Sequence, residues 1–414
     1  MKTIQYKFEY ECVNCGKRFL PTKIVYLCED CSHTNQPGQP PKGVLKTIYD
    51  YDQLKHQNTD FEKLLENEFI DLLPIQSVKS FPNLRIGQTP LYSISGLESQ
   101  QFSFDLFLKD DSQNPTYSFK DRASALVSAY AKENGIDTII AASTGNAGSS
   151  LAGICASQGQ KAIIVVPASA PAAKLTQIVM YGAKLVPVQG TYDDAFDLSL
   201  EATRQFGWYN RNTAFNPLTI EGKKTVSFEL FHQLGQNVPD RIFVPVGDGV
   251  IISGVYKGFE DLLMLGIIDK MPEIVAVQAE KSDNLVRNIK NENFVVVKSS
   301  TLADSISVDI PRNYWMARDY LLKYNGKWLT VTDEKIISAS KSLSQNTGLF
   351  AEPAASAAFA GFLHFHENKS IGHGSKNVVL LTGSGLKDLK AVSGLVNIPE
   401  PIQPDVNLLK KLIV

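Results

Sequence analysis

The chain lacks any long apolar run. No stretch of about 18 uninterrupted apolar residues occurs in it, which excludes a membrane-spanning helix of the ordinary kind. Its first residues, Met1 to Glu9, carry Lys2, Lys7 and Glu9 and have no hydrophobic core of the signal-peptide type. An excess of one charge is also missing. The 41 Lys+Arg nearly balance the 43 Asp+Glu, for a formal charge of −2, so the basic face that nucleic acid or an anionic membrane calls for is not expected. Cysteine is scarce, with five in 414 residues, and four of them fall before residue 32, which excludes a scaffold held by bridges spread along the chain. There is no internal repeat and no low-complexity tract. Several signatures of chemistry are absent as well: no G-x-G-x-x-G, no P-loop, no G-x-S-x-G and no H-E-x-x-H. What remains is an ordinary globular composition, 43% hydrophobic and 20% charged. At roughly 150 residues per domain, the length implies two or three domains. The expectation is a soluble, cytoplasmic enzyme of several α/β layers.

The cysteines are the first positive feature. Cys12-x-x-Cys15 and Cys28-x-x-Cys31 are two knuckles with twelve residues between them. That spacing suits one tetrahedral zinc held by four thiolates, a closed and therefore structural site. The Pro/Gly-rich stretch Gln36 to Pro41 follows as a linker. Cys155 lies within an apolar helical pattern and reads as core.

Beyond the linker the pattern alternates. Strands are expected at Phe104–Leu108, Thr138–Ala142, Lys161–Val166, Lys184–Val188, Arg241–Pro245, Ile274–Gln278 and Asn377–Leu381. Helices are expected at Ser118–Asn134, Ala147–Gln158 and Ala172–Tyr181. The runs Glu273–Val277 and Phe294–Val297 read as buried strand material. Continuous apolar strands alternating with helices imply parallel sheets covered on both faces, with ligands at the carboxyl ends of the strands. The C-terminal Leu408–Val414 reads as an amphipathic tail suited to packing on a neighbouring subunit, so a homodimer is one reading of the assembly.

Three loops follow apolar strands directly: Ser143-Thr144-Gly145-Asn146-Ala147-Gly148, Gly247-Asp248-Gly249 and Thr382-Gly383-Ser384-Gly385-Leu386-Lys387-Asp388. Each is shaped to present backbone N–H groups to an anion at the start of a helix. A small phosphorylated ligand is one consequence; simple tight turns are the other.

The stretch Asn114-Pro115-Thr116-Tyr117-Ser118-Phe119-Lys120-Asp121-Arg122 resembles the lysine motif of the fold-type II pyridoxal-phosphate enzymes. Upstream, Gly87-Gln88-Thr89-Pro90-Leu91 resembles their opening G-x-T-P-L. Ser143-Thr144-Gly145-Asn146 resembles their substrate-carboxylate loop. Glu352-Pro353-Ala354, the Thr382–Asp388 loop and the N-terminal cysteine module most resemble threonine synthases. The matches run in family order over about three quarters of the chain, as read from the sequence.

The resemblance implies an α/β fold of two lobes, each with a mostly parallel sheet, behind a zinc ribbon at 1–40. The large cofactor domain would span 41–134 and 222–414, and a small mobile domain 135–221. It implies pyridoxal 5'-phosphate as cofactor, joined to Lys120 as a Schiff base. Phe119 would lie on or near the ring, and Asn146 would bond its phenolic oxygen. Thr382 would face the pyridine nitrogen. Gly247, Asp248, Gly249, Val250 and Ile251 would wrap the phosphate. Ser143, Thr144, Asn146, Ala147 and Tyr117 would meet the substrate, an amino acid. A hydroxyl opposite the pyridine nitrogen suits β-elimination and β-replacement more than transamination.

Three departures qualify the resemblance. Tyr117 stands where the family usually has Gly, Asn or Leu. Val250 and Ile251 replace a Gly and an Asn, and a β-branched Val disfavours positive φ, so the loop should be wrapped differently. Asp248 in that loop must point its carboxylate away from a phosphate or pair with a cation. Finally, Thr213 to Gly222 resembles N-S-x-N-P-x-R-x-E-G, but Ala214 stands for the Ser and Thr219 for the Arg, while Ala147 stands for a Thr. A substrate phosphate loses charge-assisted hydrogen bonds at these positions. Lys174, Arg211, Lys223 and Lys224 are the cations that could stand in, although Lys and Arg are by type surface residues.

The leading reading is a threonine synthase-like lyase that turns O-phosphohomoserine into threonine and phosphate. The alternative is a serine/threonine dehydratase-like or β-replacing synthase acting on another amino acid. A retired enzyme using the ribbon to dock nucleic acid is the non-enzymatic reading. Lys17, Arg18 and Lys23 make too small a basic cluster for it, and no aromatic platform accompanies them.

Overall fold

The computed structural model describes residues 6–57, 59–98, 100–395 and 398–413, without the side chains of residues 173, 174, 412 and 413. Lys174 is therefore outside the described side chains, as is residue 414 of the C-terminal tail.

Three sheets organise the chain. β1 (Phe8–Cys12), β2 (Arg18–Phe19) and β3 (Leu45–Tyr49) form an antiparallel sheet in the order β2-β1-β3. Phe8, Tyr10 and Cys12 alternate inward with Leu45, Thr47 and Tyr49, so one face packs on the body of the protein. This sheet extends to Tyr49, past the Pro/Gly-rich stretch, and β3 is held by a full five-pair register with β1.

β4 (Leu91–Leu97) and β5 (Gln100–Asp110) begin the large sheet. The chain then leaves it to build a second, fully parallel sheet from β6 (Thr138–Ala142), β7 (Lys161–Pro167), β8 (Lys184–Val188) and β9 (Tyr209–Asn210), in the order β8-β7-β6-β9. It returns with β10 (Arg241–Pro245), β11 (Glu273–Ala279), β12 (Lys327–Val331) and β13 (Lys376–Leu381). The large sheet has the order β12-β11-β10-β13-β5-β4 and is parallel except at the edge strand β4. The α/β expectation of two mostly parallel sheets is met. β6 is buried at every position, as a strand covered on both faces should be.

The expected helices are present as Lys120–Glu133, Asn146–Gln158 and Ala172–Met180. The tail forms a helix over Val406–Ile413.

One expected strand is absent. Phe294–Val297 pairs with no strand, and Val295, Val296 and Val297 are exposed. The asparagines of the preceding Asn284–Asn288 helix replace a strand partner. Asn288 accepts from Val295 N at 2.8 Å and donates to its carbonyl at 2.9 Å; Asn284 does the same for Val297 at 2.8 and 2.7 Å. Side-chain amides thus satisfy the backbone that a sheet would otherwise have satisfied.

Candidate active site

The loops named from the sequence gather at the carboxyl ends of the two parallel sheets. Tyr117 to Phe119 form a tight turn into the Lys120 helix. Tyr117 has φ 66°, a left-handed conformation. That is why Gly or Asn suits this position, and it makes Tyr117 a strained residue. The residue is 54% exposed, so its ring is not part of a buried floor. Phe119 is wholly buried, its ring 5.6 Å from the Arg122 guanidinium.

The turn is stitched to the Thr382 loop. Phe119 N donates to the Thr382 carbonyl at 2.9 Å and Ser384 N to the Tyr117 carbonyl at 3.1 Å. The same loop is tied on its far side to the Glu352 turn, with Glu352 N donating to Gly383 O at 3.0 Å. Thr382 is buried between the two. A Cβ on Gly383 would fall 2.5 Å from a Glu352 carboxylate oxygen, so only glycine lets this carboxylate lie against the backbone.

Glu352, of the Glu352-Pro353-Ala354 motif, reaches the start of the Asn146 helix. It is buried, and both its oxygens accept from Asn146 Nδ2 at 3.0 Å. Burial pushes its pKa up, opposed by the Asn146 hydrogen bond and the nearby Lys120 charge. Lys120 is partly buried, and its amine is brought down to about 8. Burial is the largest cause; Glu352 pulls the other way, Arg211 adds to the lowering and Asp248 opposes it. Lys120, Asn146, Glu352, Asp248 and Arg211 therefore share one electrostatic neighbourhood.

Ser143, Thr144 and Ala147 are half-buried around the start of the Asn146 helix. Ser143 Oγ accepts from Gly145 N at 3.3 Å. Lys387 reaches across from the Thr382 loop. It donates to Ser149 Oγ, Thr116 O and Gln177 Oε1 at 2.9, 3.0 and 2.7 Å.

The Gly247 loop needs no unusual wrapping. Gly249 takes the positive φ of 84° and caps the Val250–Leu265 helix, so Val250 and Ile251 are ordinary helical residues in its first turn. The departure at Val250 is thereby resolved: the strain falls on the glycine before it. Among the described residues no side chain caps this helix start, which leaves its first N–H groups for an external anion. Asp248 turns its carboxylate to the backbone N–H of Arg312, at 3.1 Å, rather than to a cation. The Arg312 guanidinium goes instead to Asp193 at 2.6 Å and stacks 3.8 Å from the centre of the Phe196 ring.

The depleted positions stay depleted. Thr219 is buried and donates its hydroxyl back to Asn216 O at 2.8 Å; Ala214 is buried at φ 62°. The surface reading of the nearby cations is corrected. Arg211, Lys223 and Lys224 are all buried, the two lysines because most of the Leu218–Gln233 helix is enclosed. Its apolar residues, Leu218, Ile220, Val226, Phe228, Leu230 and Phe231, fall all round the helix, which was the available signal for burial. Lys224 is paired with Glu221 and Asp261, at 2.5 and 2.6 Å.

In the N-terminal module the four cysteine sulfurs lie within 4.8 Å of one another, with Cys12–Cys31 at 3.7 Å and Cys15–Cys28 at 3.8 Å.

A profile described as "Pyridoxal-phosphate dependent enzyme" matches residues 83–383, from just before the G-x-T-P-L stretch to the Thr382 loop. The chain belongs to this family. Relatives extend the likeness to the whole length. The threonine synthase of Methanocaldococcus jannaschii is 35% identical over 411 residues, 97% of this chain and 98% of that protein. That of Methanosarcina acetivorans is 32% identical over 415 residues, 98% of each. Among solved structures, O-ureido-L-serine synthase matches with TM-score 0.64 at 21% identity, over 76% of this chain and 95% of its own. Maize serine racemase matches with TM-score 0.63 at 23% identity, over 75% and 92%. The fold is therefore that of the fold-type II pyridoxal-phosphate enzymes, and the protein is a threonine synthase-like pyridoxal-phosphate-dependent lyase. The residues fit the cofactor of a pyridoxal-phosphate enzyme. Lys120, an amine of lowered proton affinity, feels the charge of Asp248 in the loop before the Val250 helix, and Asn146 and Thr382 supply a buried amide and a buried hydroxyl.

Proposed function

We propose that the protein is a threonine synthase that converts O-phosphohomoserine and water into threonine and phosphate. The observation that carries this reading is Lys120, partly buried, lowered to about 8, and within electrostatic reach of Glu352, Arg211 and Asp248. The full-length likeness to threonine synthases supports it.

Lys120 would hold the cofactor's aldehyde, the first-turn N–H groups of Val250 and Ile251 with the Gly247–Gly249 loop its phosphate, Asn146 its phenolic oxygen and Thr382 its ring nitrogen. Phe119 would back this region from the core. The cofactor supplies an electron sink for breaking C–H bonds next to the amine. Ser143 and Thr144, with the N–H groups at the start of the Asn146 helix, would take the substrate carboxylate, beside Ala147. Tyr117 would border the entrance. Lys120 Nζ would take and return protons, and a value near neutrality suits that work. Glu352 orients Asn146 by accepting both contacts from its amide.

The cysteine module would hold one structural zinc. A tetrahedral site with Zn–S of about 2.3 Å has sulfurs about 3.8 Å apart, the separation of the two closest pairs here.

A second reading, a β-eliminating or β-replacing enzyme, is favoured by Thr219, whose hydroxyl is already used by Asn216 O. Phosphate release from O-phosphohomoserine by the cofactor-loaded enzyme separates the two. Release supports the first reading. Its absence, with ammonia and a keto acid formed from serine or threonine, supports the second.

A further inference from the structure

We infer that Arg211 and Lys223 together form the seat for the phosphate of a phosphorylated amino-acid substrate, replacing the arginine that position 219 lacks. The inference rests on the function proposed above. Lys223 Nζ and Arg211 Nη2 are, among the described residues, the cationic atoms buried without any hydrogen-bond partner. The other buried cations have carboxylates: Lys109 has Glu229, Arg122 has Asp111 and Glu229, Lys224 has Glu221 and Asp261, and Lys257 has Asp261.

Both residues stand next to the elements that carry Lys120 and the Ser143 and Gly247 loops. Arg211 follows β9 directly and donates its N–H to Ile140 O of β6 at 2.8 Å, so it leaves the sheet beside the strand that leads into the Ser143 loop. Its Nε meets Ser124 Oγ at 3.1 Å, one helical turn from Lys120. Lys223 packs one turn into the Val250 helix, where a Cβ on Gly254 would fall 2.7 Å from its own Cβ. Burial, and after it the charges of Arg211 and Lys120, hold the Lys223 amine well below the ordinary lysine range, with Asp248 opposing, and a bound anion would restore its charge.

Like charges buried together without partners are unfavourable unless an anion joins them. Asp248 is engaged by Arg312 N. A phosphate monoester carries close to two negative charges and three acceptor oxygens at neutral pH, enough for both cations. The cofactor's phosphate has its own donors at the uncapped start of the Val250 helix, which leaves the pair for a second phosphate.

The test uses the cofactor-loaded full chain and four variants, Arg211→Gln, Lys223→Gln, Arg211→Lys and Lys223→Arg. Inorganic phosphate is the first probe, as a competitive inhibitor and in direct binding; O-phosphohomoserine is the second. Each Gln variant is expected to weaken phosphate binding and raise KM at least tenfold, with the cofactor's absorbance and affinity unchanged. The charge-keeping variants should lose a smaller factor and serve if the Gln variants do not fold. Unchanged phosphate binding in folded variants overturns the inference. So does a loss of cofactor affinity, which would assign the pair to the cofactor's phosphate, and so does equal loss in charge-keeping and charge-removing variants. If the wild type binds inorganic phosphate through the pair yet releases none from O-phosphohomoserine, the proposed reaction fails and the inference that the pair seats the substrate's phosphate fails with it. If it turns over O-phosphohomoserine while the variants do so with unchanged KM, the inference alone fails.

Discussion

The phenolic oxygen of Tyr26, which lies between the two cysteine pairs, accepts the backbone N–H of Asn210 at 2.9 Å, one residue before Arg211. The Tyr26 ring also stacks on Phe215 with centroids 4.6 Å apart. On the other side of the module, Tyr49 of β3 donates to Glu221 at 2.6 Å, two residues before Lys223. The N-terminal module is thus fastened to both segments that carry the buried cations.

Replacing Tyr26 by Phe keeps the stacked ring and removes the acceptor. Asn210 N–H is then left short of a partner, at a cost of about 1–3 kcal/mol for an unmade buried hydrogen bond. Urea denaturation should show a lower midpoint with an unchanged slope. An unchanged midpoint would mean that water replaces the phenol.

Elemental analysis is expected to find one zinc per chain. Cys12→Ser and Cys28→Ser, each at a buried ligand position, should lose the metal and lower Tm, because metal binding to such a site is part of its folding free energy. A metal-free preparation that melts at the same temperature would count against the site.

Capture of pyridoxal phosphate by the apoenzyme needs the neutral amine of Lys120. With its proton affinity lowered from the ordinary 10.5 to about 8, the neutral fraction rises with pH through about 8. The rate of the absorbance change on mixing should follow that midpoint, and Lys120→Ala should show no change at any pH. A midpoint near the ordinary lysine value would contradict the site's electrostatics.

Glu229 bridges Arg122 at 2.7 Å and Lys109 at 2.8 Å. Burial opposes its ionisation, yet these two cations outweigh it and hold the group at about 2, against an ordinary 4.5. Its folded pKa is depressed, so its stabilisation is fully present above about 4.5 and is lost as pH falls through about 2. Glu229→Gln should cost about 3–5 kcal/mol at neutral pH, the usual result of removing one partner of a buried ion pair, and flatten the loss of stability in acid. Denaturant midpoints from neutral to acid pH for both proteins check this.

The sequence determined the α/β architecture, since apolar runs such as Thr138–Ala142 and Arg241–Pro245 can be buried only inside covered parallel sheets. It marked the loops that gather at the carboxyl ends of the sheets, since Lys120, Asn146 and Thr382 stand in ordered motifs directly after strands or at helix starts. It also placed the four cysteines in pairs whose spacing brings their sulfurs together. Only the tertiary structure decided the rest. Phe294–Val297 has the composition of a strand, but two asparagines one helical turn apart took its backbone bonds. Val250 by type implies a strained loop, but Gly249 carries the positive φ. Glu352 was a letter in a motif until its carboxylate met Asn146 from a distant part of the chain. Arg211 and Lys223 look like surface residues by type. Charge and burial are independent in a sequence, and which cations are enclosed without an anion depends on how distant segments pack around them.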